Sequence, residues 1–343
     1  MEQKSTYRWP FTILILGLLI CLGLNISLGS VPIPFKDTLG ALTGGGMEQE
    51  SWRYIIWNYR LPKALTAMLV GSGLSLSGLL MQTLFRNPLA GPFVLGISSG
   101  ASLGAALLIM GASLLSGWFG GFLLNDVSVT IAASAGSFLL LLAVLAMSGR
   151  IKDSMALLII GLMFGSITAA VVTVLSYFTN AEQLRQFIFW SYGSLGNLSW
   201  PQLALLAGIL LVGIVLSIFA IKPLNGLLLG EAYARSMGLA LRRSRFLIIL
   251  ATGILAGVVT AFAGPIAFVG LAVPHLTRQI FDTTDHRVLL PAVLLYGAML
   301  LLLCDTLAQL PASAYVLPIN AITSIIGAPV VIWLLVRKRK MVF

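Results

Sequence analysis

From Phe11 to Leu28 the chain runs without one charged residue, and apolar stretches of this kind recur almost to its far end. A helix needs about 20 apolar residues to cross the roughly 30 Å of hydrocarbon in a bilayer. Inside that layer every backbone N–H and C=O has to find its partner within the protein, which a helix does by itself. A chain made of such runs is therefore directed to a membrane-spanning helical bundle. Composition agrees: 58% of the 343 residues are hydrophobic and 9% charged, where an ordinary soluble domain carries about 25% charged residues. The sequence predicts an all-α polytopic membrane protein in which residues 1–343 form a single transmembrane domain.

Runs long enough to span fall near 10–29, 62–85, 92–112, 122–148, 154–177, 201–221, 245–263, 288–309 and 318–336. The stretch 265–281 is shorter and carries Pro274. Its status follows from topology. The amino-terminal segment holds Lys4 and Arg8 and the carboxyl end holds Arg337, Lys338, Arg339 and Lys340, and clusters of Lys and Arg stay on the cytoplasmic side. Both termini are then cytoplasmic, the number of spans is even, and 265–281 becomes a kinked tenth span, tolerable where neighbours satisfy the freed carbonyls. This arrangement puts 16 of the 21 Lys and Arg residues inside and leaves Lys36, Arg53, Arg60, Lys63 and Arg185 outside. The first run has no A-x-A-like cleavage site and reads as a retained span.

The net charge of +10 is distributed in short clusters between spans, as topology requires, and forms no basic domain for nucleic acid. Cys21 and Cys304 both lie within apolar runs and suggest neither a disulfide framework nor a metal motif. Glycines four apart, at 100/104, 161/165 and 253/257, have the small-xxx-small spacing that lets helices approach closely in lipid. The segment AGPFVLG at 90–96 is echoed by AGPIAFVG at 263–270. In the ten-span arrangement the two copies start spans from opposite sides, as the halves of an inverted repeat would.

Several chemistries are missing. No G-x-x-x-x-G-K-[ST] loop occurs, and GSGLSLSG at 71–78 is span interior. His275 and His286 lack the i, i+4 spacing of a helical metal clamp. Asp126 and Asp305 sit toward the outer ends of their spans, which leaves the midplane almost free of charge and disfavours both an ion-driven carrier, whose relay acids lie within spans, and an intramembrane enzyme. A conduit of this kind needs energy supplied by a partner and suits a large solute held by shape and weak polar contacts.

Five blocks carry a resemblance over nearly the whole chain: LFRNPLAGPFVLGISSGASLG (84–104), LGEAYARSMGL (229–239), AGPIAFVGLAVPHLTR (263–278), TDHRVLLP (284–291) and LPINAITSIIGAPVVIWLL (317–335). They resemble the FecCD family, membrane permease subunits of binding-protein-dependent ABC importers for iron-siderophores, haem and cobalamin. The resemblance implies ten helices per subunit and a second permease subunit, most simply an identical chain. It also implies two cytoplasmic ABC ATPase subunits, an extracytoplasmic substrate-binding protein, surrounding membrane lipid, and a bacterial inner membrane. No cofactor is implied for this chain, since ATP and Mg belong to the partner ATPase. Iron-siderophore is the first solute implied, with cobalamin the alternative and haem third.

Residue by residue, 223–241 resembles the family's cytoplasmic coupling segment, with Glu231, Ala234, Arg235, Ser236 and Gly238 as the implied ATPase contacts and Met237 presented alongside. Asn87, Leu89 and Ser154 occupy the place of its cytoplasmic gate. Arg60 and Lys63, in RLPK at the outer start of the second span, occupy the place of basic residues that receive acidic residues of the binding protein. Their i, i+3 spacing puts both on one face of a beginning helix whose first turn suits Pro62. Two departures stand out: Gln309 where the family has a third basic position, and Asn320 where Gly is common.

Overall fold

The structure, a computed structural model, describes residues 7–45, 49–111, 125–151, 153–196, 198–310, 313 and 315–336. Its elements are α1 (Arg8–Ser27), α2 (Phe35–Thr43), α3 (Glu50–Ile55), α4 (Leu61–Leu84), α5 (Ile97–Ile109), α6 (Asp126–Ser148), α7 (Ser154–Phe178), α8 (Ala181–Ser191), α9 (Trp200–Phe219), α10 (Ile221–Leu228), α11 (Glu231–Ser236), α12 (Leu241–Ala263), α13 (Val269–Phe281), α14 (His286–Ala308) and α15 (Ile319–Val336). A π turn at Ile56–Arg60 and a 3-10 turn at Pro92–Leu95 join them. No strand occurs among the described residues.

The centre of the bundle is set by α4. Of its apolar window 78% is buried, against 72% for α12, 56% for α14 and 17–28% for α1, α6, α7 and α9. Small residues explain why α4 is central. A side chain on Gly78 would run into the carbonyl of Gly270 in α13, and one on Gly71 into the carbonyl of Gly297 in α14. Two helices thus meet α4 backbone to backbone, the approach that lipid-embedded helices use where no hydrophobic force draws them together. The glycine pairs do the same elsewhere. Gly100 and Gly104 of α5 face Gly136 and Ala132 of α6; Gly253 and Gly257 of α12 admit Leu141 and Ser137 of α6; Gly161 of α7 abuts Val94 and Leu95, with Gly165 beside Ser99. The outward faces of the peripheral helices, such as Ile13, Leu16 and Ile20 of α1 or Leu139 and Leu142 of α6, are apolar and exposed. Lipid, not water, is the medium that suits them.

Helices cover all ten expected runs. Among the described residues seven are long and apolar enough to cross a bilayer, while α5 and α13 have 13 residues each and α15 begins only at Ile319. The shortening of α5 and α13 has one cause. Each is preceded by an irregular segment ending in a left-handed residue, Gly96 (φ 72°) before α5 and Phe268 (φ 66°) before α13. The echoed sequences therefore share a local form, and they meet, Gly270 lying against the ring of Pro92.

The second span departs from expectation. It does not begin at Leu61 and Pro62: α3, the π turn and α4 form one continuous 35-residue helix from Glu50 to Leu84. Pro62 has no N–H and its ring crowds the preceding turn. The wider π spacing, in which Leu61 N–H bonds the Ile56 carbonyl, accommodates it. The segment 31–58 also contains α2, and α8 lies between the α7 and α9 spans.

Two substitutions test the packing. Gly78→Leu should cost at least the upper end of the about 1–3 kcal/mol typical of overpacking, because backbone and not a movable side chain stands in the way. Gly208, exposed on α9 with open space around it, is the control. Gly208→Ala should leave thermal stability in detergent unchanged or raise it by up to about 1 kcal/mol.

Candidate functional site

Chemistry-bearing side chains gather at the two ends of the bundle. At one end lies a cavity of about 500 Å³ lined in part by Tyr59, Arg60, Lys63, Asp305 and Gln309. Arg60 does not stand free at its rim. It is 9% exposed, and its guanidinium donates to the carbonyls of Ile26 (2.7 Å), Ser27 (2.8 Å) and Val31. The last carbonyls of a helix lack partners and carry partial negative charge, so Arg60 caps the carboxyl end of α1. The expectation of two free cations on one helix face is corrected for Arg60: its charge is engaged by the chain's own backbone.

Lys63 is also engaged, though less deeply. Its Nζ lies 3.0 Å from Asp305 Oδ1, with the lysine side chain 20% and the aspartate 3% exposed. Asp305 Oδ2 accepts from Asn25 Nδ2 (2.9 Å) and Gln309 Nε2 (2.7 Å). One carboxylate thus ties α1, α4 and α14 together. Gln309, at the position where a third cation was expected, feeds the same carboxylate. A buried ion costs several kcal/mol to desolvate unless paired and fully hydrogen-bonded, and Asp305 meets that condition. Its geometry is that of a structural clamp, not a relay open to the middle of the membrane.

At the opposite end, α10 and α11 lie in the stretch that the resemblance assigns to ATPase coupling. Leu224 and Leu227 anchor α10 in the core. The helix α11 closes in a Schellman motif: Leu239 N–H bonds the Ala234 carbonyl (3.1 Å) and Gly238 N–H the Arg235 carbonyl (3.0 Å), with Gly238 left-handed at φ 80°. The five candidate contacts divide. Arg235, Ser236 and Gly238 are exposed. Ala234 is completely buried, because the capping turn folds Leu239 back over it and Gly226. Its expected role as a surface contact is corrected to one of packing. Glu231 Oε1 receives Arg245 Nη2 at 2.6 Å, which fastens α11 to the start of α12. Tyr233 and Met237, each 52% exposed, stand with Arg235 on the outward face. Sequence reasoning missed Tyr233, whose outward position follows only once Ala234 is seen to point inward.

The loop 85–91 follows α4 at this same end. Asn87 Oδ1 accepts from Leu89 N–H (2.9 Å), a turn that leaves Leu89 46% exposed. The backbone of α7 starts at Ser154, with Asp153 as its cap accepting from Met155 N–H; the Ser154 side chain lies outside the described residues, as do Lys152 and the basic tail from Arg337. His275 Nε2 donates to the Pro88 carbonyl (2.8 Å) and so holds the loop against α13. Asn320 Oδ1 accepts from Ala267 N–H (3.0 Å), satisfying the irregular segment before α13 where glycine would offer nothing.

The Asp305 clamp makes a measurable prediction. Lys63→Met should lower thermal stability in detergent by about 3 kcal/mol, since removing one member of a buried pair strands the other. The Lys63→Met/Asp305→Leu double variant should recover most of that loss in the same melt.

Comparison with known proteins places the chain in a family. The model of the FecCD transport family matches residues 15–337. The vitamin B12 import system permease protein BtuC of Klebsiella pneumoniae is 39% identical over 340 residues, covering 99% of this chain and 96% of that protein. BtuC of Salmonella typhi is 38% identical, with 99% and 98% covered. Among solved structures, a metal-chelate type ABC transporter in an inward-facing conformation matches with a TM-score of 0.83 at 30% identity, over 97% of this chain and all of that one. PsaBC from Streptococcus pneumoniae, in complex with Fab, shares the fold at a TM-score of 0.54 and 15% identity, over 88% of this chain and 95% of that one. The chain belongs to the FecCD transport family: it is a membrane-spanning permease of the ABC-importer type and not an enzyme.

Proposed function

We propose that this chain is the permease half of an importer for a large metal chelate, with cobalamin the first candidate solute. The observation that carries the energy-coupling part is the α10–α11 segment, anchored on one side through Leu224 and Leu227 and presenting Tyr233, Arg235 and Met237 on the other. An apolar and aromatic face with a cation on a short rigid helix suits a groove on a partner protein. In this reading the partner is a cytoplasmic ABC ATPase, which holds ATP and Mg, and two permease subunits enclose the path. The end bearing α10 and α11 faces the cytoplasm of a bacterial cell, as do both termini. Asn87, Leu89 and Ser154 form the inner gate.

The extracytoplasmic binding protein docks at the other end. Its acidic side chains meet Lys63, which keeps part of its side chain in the open cavity, while Arg60 shapes that cavity by holding the end of α1. Exposed ion pairs are worth about 0.2–1 kcal/mol each and serve orientation more than grip. That suits a partner that must leave after delivery.

The ranking of solutes rests on the relatives. Those named vitamin B12 permeases are 38–39% identical over nearly the full length, which moves cobalamin ahead of the iron-siderophore reading drawn from sequence. The metal-chelate type transporter at 30% identity supports the siderophore as second. Titration of the purified binding protein with cyanocobalamin, a ferric siderophore and haem decides among them, and tight binding of cyanocobalamin alone is expected.

Two outcomes test the coupling reading. Tyr233→Glu with Met237→Glu should abolish co-purification of the ATPase while the permease stays folded, and mutation of the ATPase's phosphate-loop lysine should stop uptake. Uptake that persists without ATP and follows an ion gradient would replace this reading with that of a secondary carrier.

A further inference from the structure

A chain of polar side chains, half-buried at Asn225 and Asp285 and fully buried at His286 and Thr83, joins the coupling segment to the origin of the gate loop. Asn225 on α10 donates its Nδ2 to Asp285 Oδ1 (2.7 Å). Asp285 is held ionised: burial pushes its carboxyl up, but the Arg287 N–H, the Asn225 amide and the nearby Arg287 charge outweigh this and set it below the usual range. With its amide turned toward Asp285, Asn225 offers its oxygen to His286, which donates both its backbone N–H (3.0 Å) and its Nδ1–H (2.7 Å). A neutral imidazole that donates at Nδ1 accepts at Nε2. There, 2.9 Å away, lies the hydroxyl of Thr83. His286 is 1% and Thr83 0% exposed.

Thr83 is not an arbitrary end point. It stands in the last turn of α4, and the loop that follows hangs on it and its neighbour: Arg86 N–H bonds the Thr83 carbonyl (3.2 Å) and Asn87 N–H the Gln82 carbonyl (3.1 Å). Gln82, wholly buried, is gripped from the other side, accepting from Arg278 Nη1 (2.8 Å) and donating to the Leu271 carbonyl (3.1 Å) of α13. Arg86, at φ 46°, lies beside Gly230 between α10 and α11. The first turn of the gate loop is therefore suspended between α13, through Gln82, and the coupling segment, through Thr83 and His286. A hydrogen-bond chain with a buried end transmits displacement where a lipid-smoothed apolar contact would slip, since breaking the Thr83–His286 link leaves an unpaired polar group in a dry site.

We propose that His286 is the positioning residue that links the coupling segment to the gate, so that a shift of α10 turns the end of α4 and with it Asn87 and Leu89. The proposal rests on the reading that the α10–α11 segment docks the ATPase and that the loop 85–91 is the gate. Movement of the loop is read by the maleimide labelling rate of a Leu89→Cys permease, purified with its ATPase in liposomes, with and without ATP and vanadate. Cys21 and Cys304 are buried and give little background.

In the otherwise unaltered permease the labelling rate should change with nucleotide. In the Thr83→Val and Asn225→Ala backgrounds that change should shrink by about five-fold or more, the low end of coupling between distant sites. The double variant should be no worse than either single one, because both cut the same chain. Two results overturn the proposal: a nucleotide response in either variant equal to that of the parent, or losses that add in the double variant. ATPase co-purification, scored on the same samples, separates the two levels. If the ATPase binds the parent but nucleotide leaves labelling unchanged, the gate reading fails and this proposal with it. If the ATPase does not bind at all, the docking reading has failed first.

Discussion

Everything in this bundle depends on the closeness with which α4 meets its neighbours. Hydrocarbon tails solvate a leucine as well as another leucine does, so helices in lipid gain little by burying apolar faces and much by dense contact. Gly71 and Gly78 let the α14 and α13 backbones press directly on α4. That contact makes α4 the axis of the subunit. It also brings the ends of α4 within hydrogen-bond reach of α1 and α14 at one extreme and of α13 and α14 at the other.

The polar groups at the two extremes are then put to different uses. At the Arg60 end, a guanidinium on the last carbonyls of α1 and a lysine on a buried carboxylate lock three helices together. At the Thr83 end, the chain from Asn225 through His286 crosses from a short helix on the protein's surface to the base of a loop. The first set locks helices to one another, whereas the second links a short helix to the turn that follows α4.

Much of the architecture was legible in the sequence. Run lengths located the spans, and glycine spacing marked helices that pack closely without saying against which neighbour. The site was legible only in outline. Ala234 was taken for a contact on the resemblance to the coupling segment, but the turn at Gly238 folds Leu239 over it. The i, i+3 pair Arg60 and Lys63 was read as a free face because nothing local opposes it, and its partners are not local. Asn225, Thr83 and the role of His286 were missed, since a lone histidine in TDHRVLLP carries no hint of which amide will meet it.

By itself the sequence determined that the chain is helical, that it crosses a membrane, and which transport family it belongs to. These follow from one-dimensional constraints: the length over which charge is excluded from hydrocarbon, and motif blocks preserved in order. Only the tertiary structure decided which cations are engaged and which distant side chains meet. Arg60 finds its carbonyl 34 residues back along the chain, and Thr83 and His286 lie 203 residues apart. A hydrogen bond is formed within about 3 Å, and no sequence interval specifies a distance of that order until the helices have packed.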